Sequence, residues 1–266
     1  MKSVIIIGAG PCGLAALKEI LEHTHDAILF ERSSSLGGLF ASAVMYPNLH
    51  LTISNWAMAF SDFPNPQRLC YSSAEEYLLY LQSYAHHFDL ERYITCNAEV
   101  SSAALGHDGR WSVEVRRAGE ERTLSVQADA LIVATGANKL PNRTPAGLSQ
   151  FSNRIIHSSE YNEDFKREVA EKKLHGLVVG GGESSADISA ELGELSPNVT
   201  VWLKRMVVSY PLYLNDANEM EQVAANKVQD IPANAFLEAI TTNRMSTGLN
   251  VYAYGLFRKH CIPYGP

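Results

Sequence analysis

SVIIIGAGPCGLAALKEILEHTHDAILFE, residues 3–31, sets a short β-branched run directly against a glycine-rich turn. Ser3–Ile7 is the run, and Gly8-Ala9-Gly10-Pro11-Cys12-Gly13 follows it at once. Leu14, Leu17, Ile20 and Leu21 then recur at helical spacing, with Lys18, Glu19 and Glu22 on the other face. A second strand, Ala27–Phe30, ends at Glu31. Gly8 permits the tight turn, Gly10 lets the main chain approach a pyrophosphate, and Gly13 lets the helix pack close to the strand. The helix N-terminus offers N–H groups and a partial positive charge to phosphates. Glu31 stands 23 residues after Gly8, at a strand end where a carboxylate accepts hydrogen bonds from a ribose. A glycine turn alone signals little. Strand, turn, helix and acid in register signal an adenine dinucleotide.

The pattern returns further along the chain. Gly176–Val179 is another short apolar strand, running into Gly180-Gly181-Gly182-Glu183-Ser184-Ser185. Ala186, Ile188, Ala190 and Leu192 continue as a helix, and Val199–Leu203 reads as the following strand. Ser185 replaces the third glycine but is small enough for close packing. Lys204-Arg205 stands 24 residues after Gly180, at the ribose position. A carboxylate there would select an unphosphorylated ribose, whereas a basic pair favours a 2′-phosphate. The alternative is a solvated basic loop. Gly180, Gly182, Ser184, Ser185, Lys204 and Arg205 are thus the expected NADP contacts. One acidic and one basic ribose position imply FAD together with NADPH. The expected fold is α/β with two Rossmann-like dinucleotide-binding domains, residues 1–162 for FAD (with a β-hairpin over 110–128) and 163–266 for NADPH.

The remaining composition narrows the class. The 266 residues are 46% apolar and 19% charged, a globular balance with material for one large or two smaller domains. A net charge of −7, with acids scattered along the chain, speaks against nucleic-acid binding. No apolar run nears the ~18 residues of a membrane helix, and Gly8 and Gly10 break the first run too early for a signal peptide. Cys12, Cys70, Cys96 and Cys261 form no CxxC and no zinc spacing. Sequons at Asn142 and Asn198 are read as chance, so a soluble, reduced, cytoplasmic protein without a metal is expected. Ala74–Phe88 reads as an amphipathic helix, with Tyr77, Leu78, Leu81, Tyr84, Ala85 and Phe88 on one face. Trp111, Val113 and Val115 alternate with polar residues, as do Leu124, Val126 and Ala128, giving the hairpin. Ala130–Ala134 suits a buried parallel strand closing on Thr135-Gly136. Asn138–Gly147 and the segment around Glu163–His175 are the expected linkers.

Over about the first 205 residues the chain resembles the class B flavin-containing monooxygenases. Glu31–Phe40, ERSSSLGGLF, is similar to their acid-to-glycine-pair stretch, with Phe40 where a Trp is common. Ser54-Asn55 with Phe60-Ser61-Asp62-Phe63-Pro64 resembles the family's Asn-containing loop and its FSDFP. Tyr77–Leu90 resembles the helix before the hairpin, and Ala134-Thr135-Gly136 the ATG strand end. Phe151–Tyr161, FSNRIIHSSEY, is similar to the fingerprint FxGxxxHxxx(F/Y), with Asn153 in place of Gly. Baeyer–Villiger enzymes usually carry Trp followed by Pro or Asp at its end. Tyr161-Asn162 here favours heteroatom oxygenation over ester formation. Disulfide reductases share the double nucleotide plan but need a redox CxxC.

The resemblance implies that NADPH reduces FAD, that the flavin takes up O₂ as a C4a-hydroperoxide, and that a nitrogen or sulfur of a small molecule is oxygenated. It adds Arg32, Gly38, Leu39, Phe40, Asn55, Val100, Ala134, Thr135 and Gly136 to Gly8, Gly10, Gly13 and Glu31 as FAD contacts. Asn55 is the expected catalytic residue, orienting the oxygenated intermediate; the alternative is a loop Asn making local turn bonds. His157 matches the fingerprint His and is read as a structural link. Family members return after the NADPH domain to complete the FAD domain, with a second ATG-type stretch that is not found here after Arg205. Tyr210–Tyr213 and Val251–Phe257 are aromatic-rich, as core or as contact surface. The FAD domain is therefore expected to be incomplete, with a complementing polypeptide as partner. An NADPH-dependent flavin oxidase or dehydrogenase, or a non-catalytic dinucleotide-binding subunit, is the alternative.

Overall fold

The computed structural model describes residues 2–23, 26–41, 49–67, 70–137, 148 and 150–203, with two-residue strands at 213–214 and 231–232. Lys204, Arg205, Asn138–Gly147, Val251–Phe257 and the aromatic run at 210–213, apart from the backbone of Tyr213, lie outside the described residues.

β1 (Val4–Ile7), α1 (Pro11–His23) and β2 (Ala27–Phe30) form as the sequence predicts. β1 and β2 run parallel, Val4 opposite Ala27 and Ile7 opposite Phe30. Pro11 sits at the first helical position, where a missing N–H costs no intrahelical bond. α2 (Ala74–His87) opens on a capping box. The Ser73 hydroxyl accepts from Glu76 N–H at 3.2 Å, and the Glu76 carboxylate accepts from Ser73 N–H at 2.8 Å. There follow β3 (Ile94–Thr95), β4 (Ala98–Leu105), β5 (Trp111–Arg117), β6 (Thr123–Ala128) and β7 (Ala130–Val133). The parallel sheet has the order β3-β2-β1-β7, and β4-β5-β6 form an antiparallel sheet.

Strand side chains alternate between faces, so Ile5 and Ile6 point opposite ways. Ile5 joins Phe30, Ala98, Val113, Val115 and Ala128 in a core shared by the two sheets, with Ile7, Ile28 and Val100 packed against it. Ile6, Leu14, Leu17 and Leu29 are fully buried, and α1 packs on β1 and β2. Each such side chain contributes about 1.5–3 kcal/mol by leaving water. This burial fixes the ends of β1 and α1, and so the glycine turn between them.

The predicted hairpin forms from β5 and β6, Trp111 opposite Ala128, and β4 adds a third strand beside β5 across a register shift between Val100 and Ser102. Two expectations need correction. Ala130–Ala134 is not fully buried: β7 ends at Val133, and Val133 is 64% exposed at the outer strand of the described sheet. The segment around Glu163–His175 is mostly α3 (Glu163–Lys172), not a linker. Asn162 Oδ1 accepts from Phe165 N–H at 3.0 Å at its start, and Lys173 turns left-handed at φ 49° to end it. Acids in its first turn and Lys172 in its last complement the helix dipole.

β8 (Gly176–Val179), α4 (Glu183–Leu195) and β9 (Val199–Trp202) make the second unit, β8 and β9 pairing in parallel. Tyr161, Val169, Ile188 and Leu192 form its buried core. The loop His50–Ser72 groups apart from Met1–Leu49 and Ser73–Met206. Among the described residues no helix is long and apolar enough to cross a membrane.

Candidate nucleotide-binding turns and the Asn55 loop

The first turn is closed by contacts that exclude side chains. Gly8 has φ +104°, and a Cβ there would lie 2.6 Å from the Ala134 carbonyl oxygen. A Cβ on Gly13 would lie 1.8 Å from the Gly8 oxygen. Ala134 is brought there by its N–H, which donates to Ile7 O at 2.9 Å as β7 runs beside β1. Gly37 N–H donates to Ala9 O at 2.9 Å, which lays the glycine pair across the turn. A Cβ on Gly38 would come within 2.8 Å of Gly10 Cα. Among the described residues, Gly10 itself has only Gly38 Cα nearby, at 3.6 Å from a built Cβ. Its side-chain direction is open where that of Gly8 and Gly13 is filled by backbone.

Glu31 is buried at the end of β2. One carboxylate oxygen accepts from Ala9 N–H at 2.7 Å and the other from Ser33 N–H at 2.9 Å. Two main-chain donors thus fix the carboxylate beside the glycine turn. Cys96 is a neighbour that the sequence reading did not single out. Burial pushes its thiol up, and the Glu31 carboxylate adds to that. Gly37 was also missed as a site residue, although the Gly-Gly pair itself was the signal.

Leu39 is 62% exposed beside this turn, and Arg32 is exposed. Phe40 is half-buried with its ring edge-on to Tyr77 at 4.7 Å. Thr135 and Gly136, the latter at φ +77°, continue from Ala134. Val100 packs its side chain against the inter-sheet core. The structure therefore gathers Gly8, Gly10, Gly13, Glu31, Gly38 and Ala134 around one turn, while Val100 belongs to the packing behind it.

In the second turn Gly180 has φ +146°, and Gly182 caps α4 with no side-chain bond. Ser185, the departure from the glycine pattern, donates its hydroxyl to Gly180 O at 2.9 Å. A hydrogen bond thus ties helix to strand end where the first turn relies on close packing at Gly13. Ser184 lies in the exposed first turn of α4.

Asn55 is fully buried in the loop His50–Ser72. Its Oδ1 accepts from Cys70 N–H at 3.0 Å, and its N–H donates to Cys70 O at 2.9 Å. The amide oxygen therefore braces the loop, the local role weighed against catalysis. His157 is exposed and accepts from Ser159 N–H through Nδ1 at 3.1 Å, capping the short 3₁₀ turn Ser158–Glu160. Among the described residues no group of three or more His, Cys, Asp or Glu side chains is placed to hold a metal ion.

Comparison with known proteins agrees with this frame. Residues 1–262 match the model of the flavin-binding monooxygenase-like family. The chain is 40% identical to 4-hydroxybenzoate brominase (decarboxylating) of Marinomonas mediterranea, over 80% of this chain and 40% of that protein. It is 34% identical to human flavin-containing monooxygenase 1, over 74% of this chain and 39% of the relative. The solved S-allyl-L-cysteine S-oxygenase of Allium sativum superposes with a TM-score of 0.65 at 21% identity, covering 79% of this chain and 53% of that one. The chain thus spans about two-fifths to a half of the length of these relatives. It belongs to the flavin-binding monooxygenase-like family.

Proposed function

We propose that this family member is the nucleotide-binding part of an FAD- and NADPH-dependent monooxygenase that uses O₂ to oxygenate a nitrogen or sulfur of a small molecule. The observation that carries the reading is the first turn. Gly10 and Gly38 present bare main chain to each other and to the start of α1, and a buried carboxylate stands beside them. That surface fits a pyrophosphate followed by an adenosine ribose: no Cβ fills the approach, and Glu31 is held in place as an acceptor. When bound, the flavin supplies the activation of O₂, with reducing equivalents from NADPH.

The chain's own residues then divide the work. Gly8 and Gly13 hold strand and helix close enough for the α1 N-terminus to receive phosphate charge. Gly180, Gly182, Ser184 and Ser185 shape a second such turn, and Lys204 and Arg205 take the 2′-phosphate. Asn55, whose carbonyl oxygen braces its loop, is the residue this reading assigns to orient the bound flavin. The division between the two parts is placed at 162/163.

A second reading rests on the 40% identity to the brominase. Bromide, like a thioether, is a soft nucleophile, so oxidation of halide and bromination of a hydroxybenzoate suit the same oxygenating frame. Product analysis separates the two. The purified protein is supplied with NADPH and O₂ together with a thioether, a tertiary amine, or 4-hydroxybenzoate plus bromide. S- or N-oxide formation supports the first reading. Bromophenol with release of CO₂ supports the second, and NADPH oxidation without any product overturns both.

A further inference from the structure

Glu31 and Glu191 are the two carboxylate residues that are buried among the described residues. Glu31 has a place beside the first turn; Glu191, on α4, stands well away from the second. Tyr161 OH donates to Glu191 Oε2 at 2.9 Å, and Lys166 Nζ reaches the same oxygen at 3.2 Å while holding Glu163 at 2.8 Å. Lys166 also lies over the Tyr161 ring, 5.8 Å from its centre. Three stretches meet at this one oxygen: residues 150–161, which end at Tyr161, α3 and α4.

A buried carboxylate is costly unless it is paired, and removing one partner leaves a charge uncompensated. Here the pairing is complete and short. A cavity of about 280 Å³ lies beside it, lined by Lys166, Ala170, Glu191 and Leu195 among others. Beside the apolar contacts of Val169, Ile188 and Leu192, these polar contacts tie α3 and α4 to Tyr161. Burial pushes the Tyr161 phenol up, and its bond to Glu191 adds to that, so the hydroxyl stays a donor. α4 carries Glu191 at one end and the Gly180–Ser185 turn at its other, and a helix transmits a tilt along its length.

We propose that Glu191 is a positioning residue, which sets α4 and its nucleotide turn against Tyr161 and α3. The inference rests on the reading that this turn takes NADPH. Tyr161→Phe removes the donor, Glu191→Leu removes both bonds, and Glu191→Gln keeps an oxygen to accept from Tyr161. The test is NADPH-saturation kinetics of flavin reduction in the full-length, FAD-loaded protein, with NADP⁺ binding measured by calorimetry. In Tyr161→Phe and Glu191→Leu the KM for NADPH rises roughly tenfold, about 1.4 kcal/mol of lost binding. The rate at saturation stays within about twofold, the signature of lost binding rather than lost chemistry. Glu191→Gln restores most of the affinity. If Glu191→Leu does not fold, Tyr161→Phe, one oxygen smaller than wild type, decides. A folded Tyr161→Phe with unchanged KM overturns the inference, even if its melting temperature falls. Wild-type protein that binds no NADP⁺ overturns the reading beneath it and the inference together.

Discussion

Gly13→Ala and Gly10→Ala place the same methyl group three residues apart and separate packing from ligand binding. The Cβ at position 13 would lie 1.8 Å from Gly8 O, 3.0 Å from Gly8 C and 3.5 Å from Ala134 Cβ. The first two are main-chain atoms of a turn held by the Gly8 N–H bond to Phe30 O, so α1 must move off β1. Overpacking of this kind costs about 1–3 kcal/mol, which lowers the melting temperature by roughly 2–12 °C in a domain of this size. At position 10 the nearest atom is Gly38 Cα at 3.6 Å, ordinary contact, so the apoprotein melts as wild type does. Its methyl instead occupies the approach to the proposed pyrophosphate. The assay is a thermal melt of apoprotein together with FAD released on denaturing the purified holoprotein. Gly13→Ala loses stability and flavin; Gly10→Ala loses flavin alone. A Gly10→Ala variant that keeps stoichiometric FAD, or a Gly13→Ala variant that melts as wild type, would refute the reasoning.

Replacing Lys204 and Arg205 together with Ala lowers kcat/KM for NADPH by at least about tenfold while NADH is little affected, because charge-assisted bonds to the 2′-phosphate are lost. An unchanged NADPH-to-NADH ratio rejects those two residues. Asn55→Ala leaves Cys70 N–H without its Oδ1 acceptor, at a cost of about 1–3 kcal/mol, and shifts NADPH consumption from oxygenated product to hydrogen peroxide. A peroxide-to-product ratio equal to wild type reduces Asn55 to a loop brace. Asp129 accepts from Ser3 N–H and its hydroxyl, which hold the carboxyl below its ordinary 3.8. Its stabilising effect is therefore complete above that ordinary value and is lost as pH falls through the lowered one. Melting curves of Asp129→Asn between pH 5 and 2 should show a shallower acid decline than wild type, and a parallel decline counts against the bond.

Periodicity and turn chemistry made the first unit legible almost to the residue. Val4–Ile7 is a β-branched run and Ala27–Phe30 an apolar one, each bounded by turn residues, and their apolar faces leave no competing register. β4 escaped because AEVSSAAL has weak strand propensity and mostly exposed side chains; its pairing with β5 holds it. Glu163–His175 looked like a linker because its charge hides a narrow apolar stripe, on which only Val169 is fully buried. At the site, Glu31 and the glycines were readable from spacing, since few residues fit those backbone positions. The Ser185–Gly180 bond and the Cys96–Glu31 proximity depend on three-dimensional approach, and spacing carries no trace of either. Tyr161 was visible as a motif position, but its partner Glu191 lies 30 residues on, in another helix.

Anaerobic mixing of the purified, FAD-loaded protein with NADPH or with NADH, followed through the visible absorbance of the flavin, tests the central claim most directly. The two-turn account predicts that NADPH bleaches the flavin band, that NADH does so much more slowly, and that air restores the oxidised spectrum. A protein that retains no FAD, or whose bound flavin NADPH leaves oxidised, would contradict it.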